Sequence, residues 1–350
     1  MEYIKTLIDR YKHIRSLRQL RCVNKGKYAF VGIGSHSIGN LYPVLGYLHV
    51  PLKYICCKLQ DKLRLIEKVY PHVQATTSLS DILNDDEVKG VFVSVSPKSH
   101  FSIASEVIQS GKALFIEKPP CQSKEELLQL IEMRSEANNP IVVVGLQKRC
   151  SPVTRILKRN LKKCDTPISY NLRYLMGAYP EGDALMELFI HPLDYVTYLF
   201  GKADVKCVEN VKDQTLLLVL KHANAAGVLE LSTAYSWTDA TEGMTINTSK
   251  GIYELQQMDS LTFKGKPCAF MGIPMEKILP HQSATIELFG INNSIPMVSQ
   301  NQIVTQGYFD TIKSFVDAVE GRRVSLAQSL PSLVDTYSLI DEIRLALKQS

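Results

Sequence analysis

Glu117 and Lys118 stand directly after the apolar run Ala113 to Ile116 and before Pro119-Pro120. In an open α/β sheet the carboxyl ends of the strands deliver side chains into the ligand crevice, so this charged pair is placed to meet a small molecule. An ammonium held beside a bound carbonyl stabilises developing alkoxide and can then protonate it. Two further loops follow similar runs: Ser96-Pro97-Lys98-Ser99-His100 after Gly90 to Val95, and Gly145-Leu146-Gln147-Lys148-Arg149 after Ile141 to Val144. All three are expected on one edge of a sheet. The plainer reading of Lys118 is a lysine paired with Glu117 or Glu125.

Upstream, Lys27 to Gly39 reads KYAFVGIGSHSIG, a strand-like run leading into Gly32-Ile33-Gly34 and then a helical pattern. In a dinucleotide-binding turn the first glycine permits the tight bend, and the second lets the backbone approach a pyrophosphate at the helix N-terminus. Ser37 occupies the third position of G-x-G-x-x-G, so the fingerprint is imperfect and draws its force from context. The next strand ends Cys56-Cys57-Lys58 with no carboxylate at its tip. Lys58, helped by Ser35 or His36, offers positive charge and hydrogen bonds where a 2′-phosphate would sit, which favours NADP over NAD. In the other reading, Lys58 is a solvated lysine and Asp61 swings in to bind the ribose.

The elements that must position these residues follow from pattern. Tyr28 to Ile33, Leu52 to Cys57, Gly90 to Val95, Ala113 to Ile116 and Ile141 to Val144 are continuous apolar runs alternating with helical stretches. Such runs are buried on both faces, which predicts an α/β fold with a doubly wound parallel Rossmann sheet over 27–150. From about 165 the texture changes to strands without intervening helices, at 168–175, 204–210, 214–221, 226–234, 242–248 and 251–256. These predict a second, α+β domain over 151–350 with a mostly antiparallel open sheet, and C-terminal helices packing back.

Residues 1–26 form a predicted basic amphipathic helix, with Tyr3, Ile4, Leu7, Ile8, Tyr11, Ile14, Leu17 and Leu20 on one face. Docking on its own or a neighbouring subunit is the expected use, and a membrane-surface or calmodulin-like role the sharper alternative. The net charge of +5 concentrates here, since residues 1–27 carry eight basic against two acidic residues. The body is near neutral, and no nucleic-acid groove is expected in it. With 45% hydrophobic and 21% charged residues the composition is that of a folded domain protein. Eight cysteines, at 22, 56, 57, 121, 150, 164, 207 and 268, show no metal-type spacing and suit reduced, buried thiols. No apolar run is long enough for a membrane span and no signal-peptide core is present, so a cytoplasmic location is expected.

The G-x-G loop, S-P-x-x-H at Ser96 to His100 with Pro97, G-K-x-x-x-x-E-K-P at Gly111 to Pro119, and V-G-x-x-x-R ending at Arg149 together resemble the Gfo/Idh/MocA family over about 27–200. The resemblance implies NAD or NADP binding and hydride transfer at a carbon of a sugar, sugar nucleotide or cyclitol. Gly32, Gly34, Ser35, His36, Ser37, Lys58, Ser96, Pro97, His100, Glu117 and Lys118 would hold the cofactor. Lys118 would bond the reacting hydroxyl. The family's D-x-x-x-H signature falls on Glu187 to His191, with glutamate in place of aspartate and Phe189 where glycine is frequent. His191 would act as acid or base with Glu187 orienting it, provided one helix carries both; a helix starting at Pro192 would break that geometry. Asp194, three beyond, reads as structural. Arg149, Arg173 and Tyr174, with Tyr179, would line the substrate pocket, or equally serve as ordinary strand and loop residues. A metal on Glu187 and His191 has too few ligands, so none is expected. The small-molecule partner is a polyol or sugar, and the family implies a homo-oligomer, dimer or tetramer, through its open sheet. Alternatives are a cofactor-sensing regulatory or scaffold protein and a non-sugar carbonyl or imine reductase.

Overall fold

The computed structural model describes residues 2–20, 23–164, 168–180, 182–267, 269–270, 273–274, 284–294 and 297–349. Arg21, Cys22 and Cys268 lie outside the described residues, as do the side chains of Arg15, Leu17, Arg18 and Leu20.

The first sheet holds β1 (Lys27–Val31), β2 (Leu52–Cys56), β3 (Gln74–Thr76), β4 (Val88–Val93), β5 (Ala113–Ile116) and β6 (Val142–Val144), parallel in the order β3-β2-β1-β4-β5-β6. That is the Rossmann order, with the reversal between β1 and β4. The helices around it are α2 (Tyr42–Tyr47), α3 (Leu63–Val69), α4 (Leu79–Leu83), α5 (His100–Gln109) and α6 (Lys124–Glu136). Burial on both faces explains the unbroken apolar runs: Tyr28, Ala29, Phe30, Val91, Phe92 and Val93 are all fully enclosed. β3 escapes a pattern reading because it is three residues long with one buried side chain.

After α7 (Pro152–Leu161) comes an eight-stranded sheet of β7 (Ile168–Leu175), β8 (Ala203–Val211), β9 (Thr215–His222), β10 (Ala225–Ser232), β11 (Thr241–Thr248), β12 (Gly251–Gln256), β13 (Ser260–Gly265) and β16 (Thr285–Gly290). β14 (Ala269–Phe270) and β15 (Ile273–Pro274) form a separate ribbon. The sheet order is β16-β13-β12-β11-β7-β10-β9-β8, antiparallel except for β7 beside β10. The strict alternation of buried and exposed residues along β7 shows a sheet covered on one face only. That cover is α8 (Ala184–Glu187), α9 (Ile190–Phe200), α7 and the last helix, α12 (Val334–Gln349), whose Leu193, Val196, Tyr337 and Ile340 pack with Leu172, Leu218, Leu220 and Leu229. Leu217, Val219 and Val228 remain exposed on the open face.

Between these come α10 (Gln302–Thr305) and α11 (Tyr308–Val319). α11 does not join the second sheet. Its Phe315 lies 5.1 Å from Phe92 and 5.9 Å from Phe115, ring centroid to centroid, and closes one face of the Rossmann sheet. Glu320, just beyond it, accepts hydrogen bonds from the Lys25 and Gly26 amides and from the Tyr28 hydroxyl.

Of the two docking uses expected for the first helix, α1 (Glu2–Leu20), the one on its own chain is not seen among the described residues. Tyr3, Ile4, Leu7, Ile8, Tyr11 and Ile14 are all exposed, so its apolar stripe is not covered by this chain. The cysteines divide as well: Cys56, Cys57 and Cys121 are buried, but Cys207 is exposed on the edge strand β8. Among the described residues no helix is long and apolar enough to cross a membrane.

Candidate active site

β1 delivers the chain into Gly32 at φ +112°, where a Cβ would stand 1.9 Å from the Ser94 carbonyl oxygen, so only glycine lets the turn close against β4. Beyond it opens a cleft of about 690 Å³ at the switch point of the sheet. Its lining includes Gly32, Gly34, Ser35, His36, Lys58, Lys62 and Ser96, with Ser37 beneath the loop. Lys58 and Lys62 stand at the β2 end, and among the described lining residues the one carboxylate is Glu106 of α5. Ser37 is fully buried, and its Oγ accepts from the Gly34 amide and donates to the Gly34 carbonyl, both at 2.9 Å. The serine at the third glycine position therefore braces the loop at the cleft wall.

β5 carries Glu117 and Lys118 to the same edge. Glu117 is 5% exposed; its Oε1 has no hydrogen-bond partner and lies 3.7 Å from His36 Nε2. A Cβ on Gly145, at the end of β6, would lie 2.7 Å from that oxygen, so the glycine makes room for the carboxylate. Lys118 donates from Nζ to the backbone carbonyl of Glu187 at 2.6 Å, a neutral acceptor. Burial depresses its pKa, an effect that Glu117 opposes and Lys148 reinforces. His191, 8% exposed, is held well below the usual imidazole range, first by burial and then by the positive charges of Lys118, Lys148 and His36. The imidazole is thus neutral, and these charges share one chamber. Glu187 accepts a 2.7 Å hydrogen bond at Oε2 from Tyr179. Lys148 donates to Glu242 Oε2 at 2.5 Å, with its ammonium 4.7 Å from the Tyr174 ring centroid. Tyr308 closes the group, its ring 5.8 Å from that of His36.

Several sequence expectations change. Arg149, expected in the substrate pocket, is 3% exposed and its guanidinium forks onto Asp194, with Nε to Oδ2 at 2.8 Å and Nη2 to Oδ1. It also donates to the Ala327 carbonyl and to Ser332. Asp194 also accepts from Thr336 Oγ1 at 3.0 Å. Arg173 lies on the exposed face of β7, paired with Glu230 of β10 at 2.7 Å, whereas Tyr174 faces inward; consecutive strand residues point to opposite faces. His100 is 1% exposed with Nδ1 2.6 Å from the Pro119 carbonyl, so it props the turn after Lys118, outside the cleft lining. Pro97 begins the short turn of helix before α5 and is likewise outside that lining. Glu187 ends α8 and His191 lies in the first turn of α9, so no single helix carries both. Lys148, Glu242 and Tyr308 were missed by sequence reasoning. Lys148 sits inside the motif that ends at Arg149, and its charge beside a strand end was the available signal. Among the described residues no cluster of three or more His, Cys, Asp or Glu could hold a metal.

A Rossmann sheet with a cleft at its switch point is joined to an open sheet whose covering helix α9 carries the buried imidazole of His191, a dinucleotide-type fold with a second sheet. Residues 27–146 match the family model described as "Oxidoreductase family, NAD-binding Rossmann fold". Over those residues the chain is similar to that family, Gfo/Idh/MocA. An inositol 2-dehydrogenase of Corynebacterium glutamicum is 23% identical over 137 residues, 37% of this chain and 41% of that protein. The chain thus matches about two fifths of the length of such curated relatives. Among solved structures, a dehydrogenase from Chromobacterium violaceum superposes with a TM-score of 0.76 at 20% identity, covering 93% of this chain and 97% of that one. Levoglucosan dehydrogenase in complex with NADH and levoglucosan gives 0.76 at 16% identity, covering 93% and 98%. At these identities the structures establish the fold.

Proposed function

We propose that the chain is a nicotinamide-dependent dehydrogenase or reductase acting at a CH–OH carbon of a sugar, sugar nucleotide or cyclitol, with NADP preferred. The observation that carries this reading is Lys118, whose ammonium bonds a neutral carbonyl at 2.6 Å beside the neutral, buried His191. A lysine engaged by a carboxylate would give little to a substrate oxygen; this one donates to a neutral carbonyl and has further N–H donors to offer.

The cleft fits the cofactor. Gly32 and the open side of Gly34, where an added Cβ would meet nothing within 4 Å, leave space for a pyrophosphate. The unpartnered Oε1 of Glu117 is an acceptor for a ribose hydroxyl or amide. Lys58 and Lys62 favour a 2′-phosphate over a bare ribose. Bound there, the nicotinamide ring supplies the hydride acceptor or donor. The protein's part is acid–base chemistry: Lys118 hydrogen-bonds the reacting oxygen and stabilises alkoxide character, and neutral His191 takes or returns the proton. Tyr179 fixes the Glu187 side chain, and Glu187 presents its carbonyl to Lys118. The open face of the second sheet, with Leu217, Val219 and Val228, suits a homo-oligomer contact.

The test is a fluorescence titration of NADPH against NADH, followed by a sugar and cyclitol panel read by NADPH absorbance. NADPH should bind at least about tenfold more tightly, about 1.4 kcal/mol. Lys118→Ala with His191→Ala should lose turnover while still binding NADPH. Full turnover by that double variant would refute the assignment of roles, and a tenfold preference for NADH would refute the cofactor choice.

A further inference from the structure

The loops beside the chamber carry aromatic side chains that the chemistry at Lys118 does not use. Trp237, the sole tryptophan of the chain, lies between β10 and β11 and is 54% exposed; Tyr235 on the same loop is 55% exposed. An exposed indole loses the gain that burial would bring, yet this one is held fast. Its Nε1 donates to the Ala178 carbonyl at 2.9 Å, and its ring packs on Gly177, where a Cβ would lie 2.3 Å from the indole Cδ1. The loop is tied down again by the Tyr235 amide, which donates to the Met176 carbonyl at 2.9 Å.

This fixed ring is linked to the reactive group. Tyr179 lies 6.5 Å from Trp237, ring centroid to centroid, with the planes tilted by 59°, and its hydroxyl bonds the Glu187 carboxylate. The Glu187 carbonyl accepts from Lys118. One tyrosine side chain therefore separates the exposed indole from the residue that holds the reactive lysine. Aromatic faces carry negative charge density and attract weakly positive C–H groups, which the apolar face of a pyranose presents.

We propose that Trp237, with Tyr179 and Tyr235, forms a second sugar subsite, and that the substrate is a glycoside. One ring is presented to Lys118 and His191 while the ring linked to it stacks on Trp237. This rests on the sugar dehydrogenase reading given above and narrows its substrate class.

Trp237 alone sets the indole emission, so it reports on its own occupancy. The full chain, with NADP+ present, is titrated with cellobiose, maltose and lactose, and with glucose for comparison. At least one disaccharide should shift or quench the emission at lower concentration than glucose. Trp237→Ala should raise KM for that disaccharide about tenfold, equivalent to about 1.4 kcal/mol, with kcat and glucose turnover unchanged. Trp237→Phe should recover most of the loss, and circular dichroism should match for all three proteins. Emission unmoved by every disaccharide overturns the subsite, as does an equal effect of Trp237→Ala on disaccharide and glucose. Saturable emission change without oxidation of any sugar supports the subsite and counts against the dehydrogenase reading.

Discussion

Replacing Arg149 separates its two possible roles, because the residue sits in a family motif yet faces away from the chamber. Its guanidinium gives two hydrogen bonds to Asp194 of α9, one to the Ala327 carbonyl and two to Ser332, joining the end of the Rossmann sheet to two other segments. Both charged side chains are essentially enclosed, at 2% and 3% exposure. Removing one partner of a buried pair leaves the other charge without solvent or counterion, which costs about 3–5 kcal/mol. Against a typical total of about 5–15 kcal/mol, Arg149→Ala should remove about a fifth or more of the stability. Arg149→Lys should lose most of it as well, since an ammonium cannot make the planar two-pronged contact. Removing both charges, as Arg149→Met with Asp194→Leu, should be milder than Arg149→Ala, because no orphaned carboxylate remains. The assay is urea unfolding followed by circular dichroism, with substrate KM measured on the folded fraction. A stability change below about 1 kcal/mol together with a raised KM would refute the structural role and return Arg149 to the substrate site.

Three further outcomes are expected. His191 is neutral when folded, so below pH ~6.5 the unfolded chain binds a proton that the folded site refuses; stability should be full above that pH and fall as pH drops from it towards the folded pKa. Urea midpoints across that range check this, and His191→Asn should flatten the decline in part, the buried His100 and His222 supplying the rest. Gly145→Ala should force Glu117 aside by several tenths of an ångström, destabilise by about 1–3 kcal/mol and weaken NADPH binding; unchanged unfolding and binding would count against the packing described. Deleting residues 1–25 should reduce the sedimenting mass if the exposed stripe of α1 contacts a second copy, and an unchanged mass would exclude that use.

The Rossmann half was legible because its strands are enclosed on both faces, which leaves an unbroken apolar signature. β13 and β16 were not, since the edge strand β16 and its neighbour β13 have little burial to impose alternation; β16 has no fully buried residue. Lys118 could be read from its place after a strand, but the chamber could not. Lys148, Glu242 and Tyr308 are 94 and 66 residues apart in turn, and nothing local records that they meet. Arg173 and Tyr174 show an error that the sequence could have prevented. Adjacent residues on a strand cannot both line one pocket, and the alternation along β7 already said which faced inward. The apolar stripe of α1 shows the converse, since periodicity predicts a helix but does not supply the surface that covers it.

The packing of α11 on the first sheet makes the cofactor-binding unit discontinuous along the chain. A fragment ending at residue 150 would contain every strand of that sheet, yet would leave the face of Phe92 and Phe115 bare and the Gly26 and Tyr28 donors without Glu320. Exchange of substrate domains between relatives therefore cannot be a simple cut after β6. A transplant that respects the folding unit must carry the helix and acidic cap of residues 308–320 with the N-terminal half, so inheritance of the cofactor domain is tied to the far end of the protein.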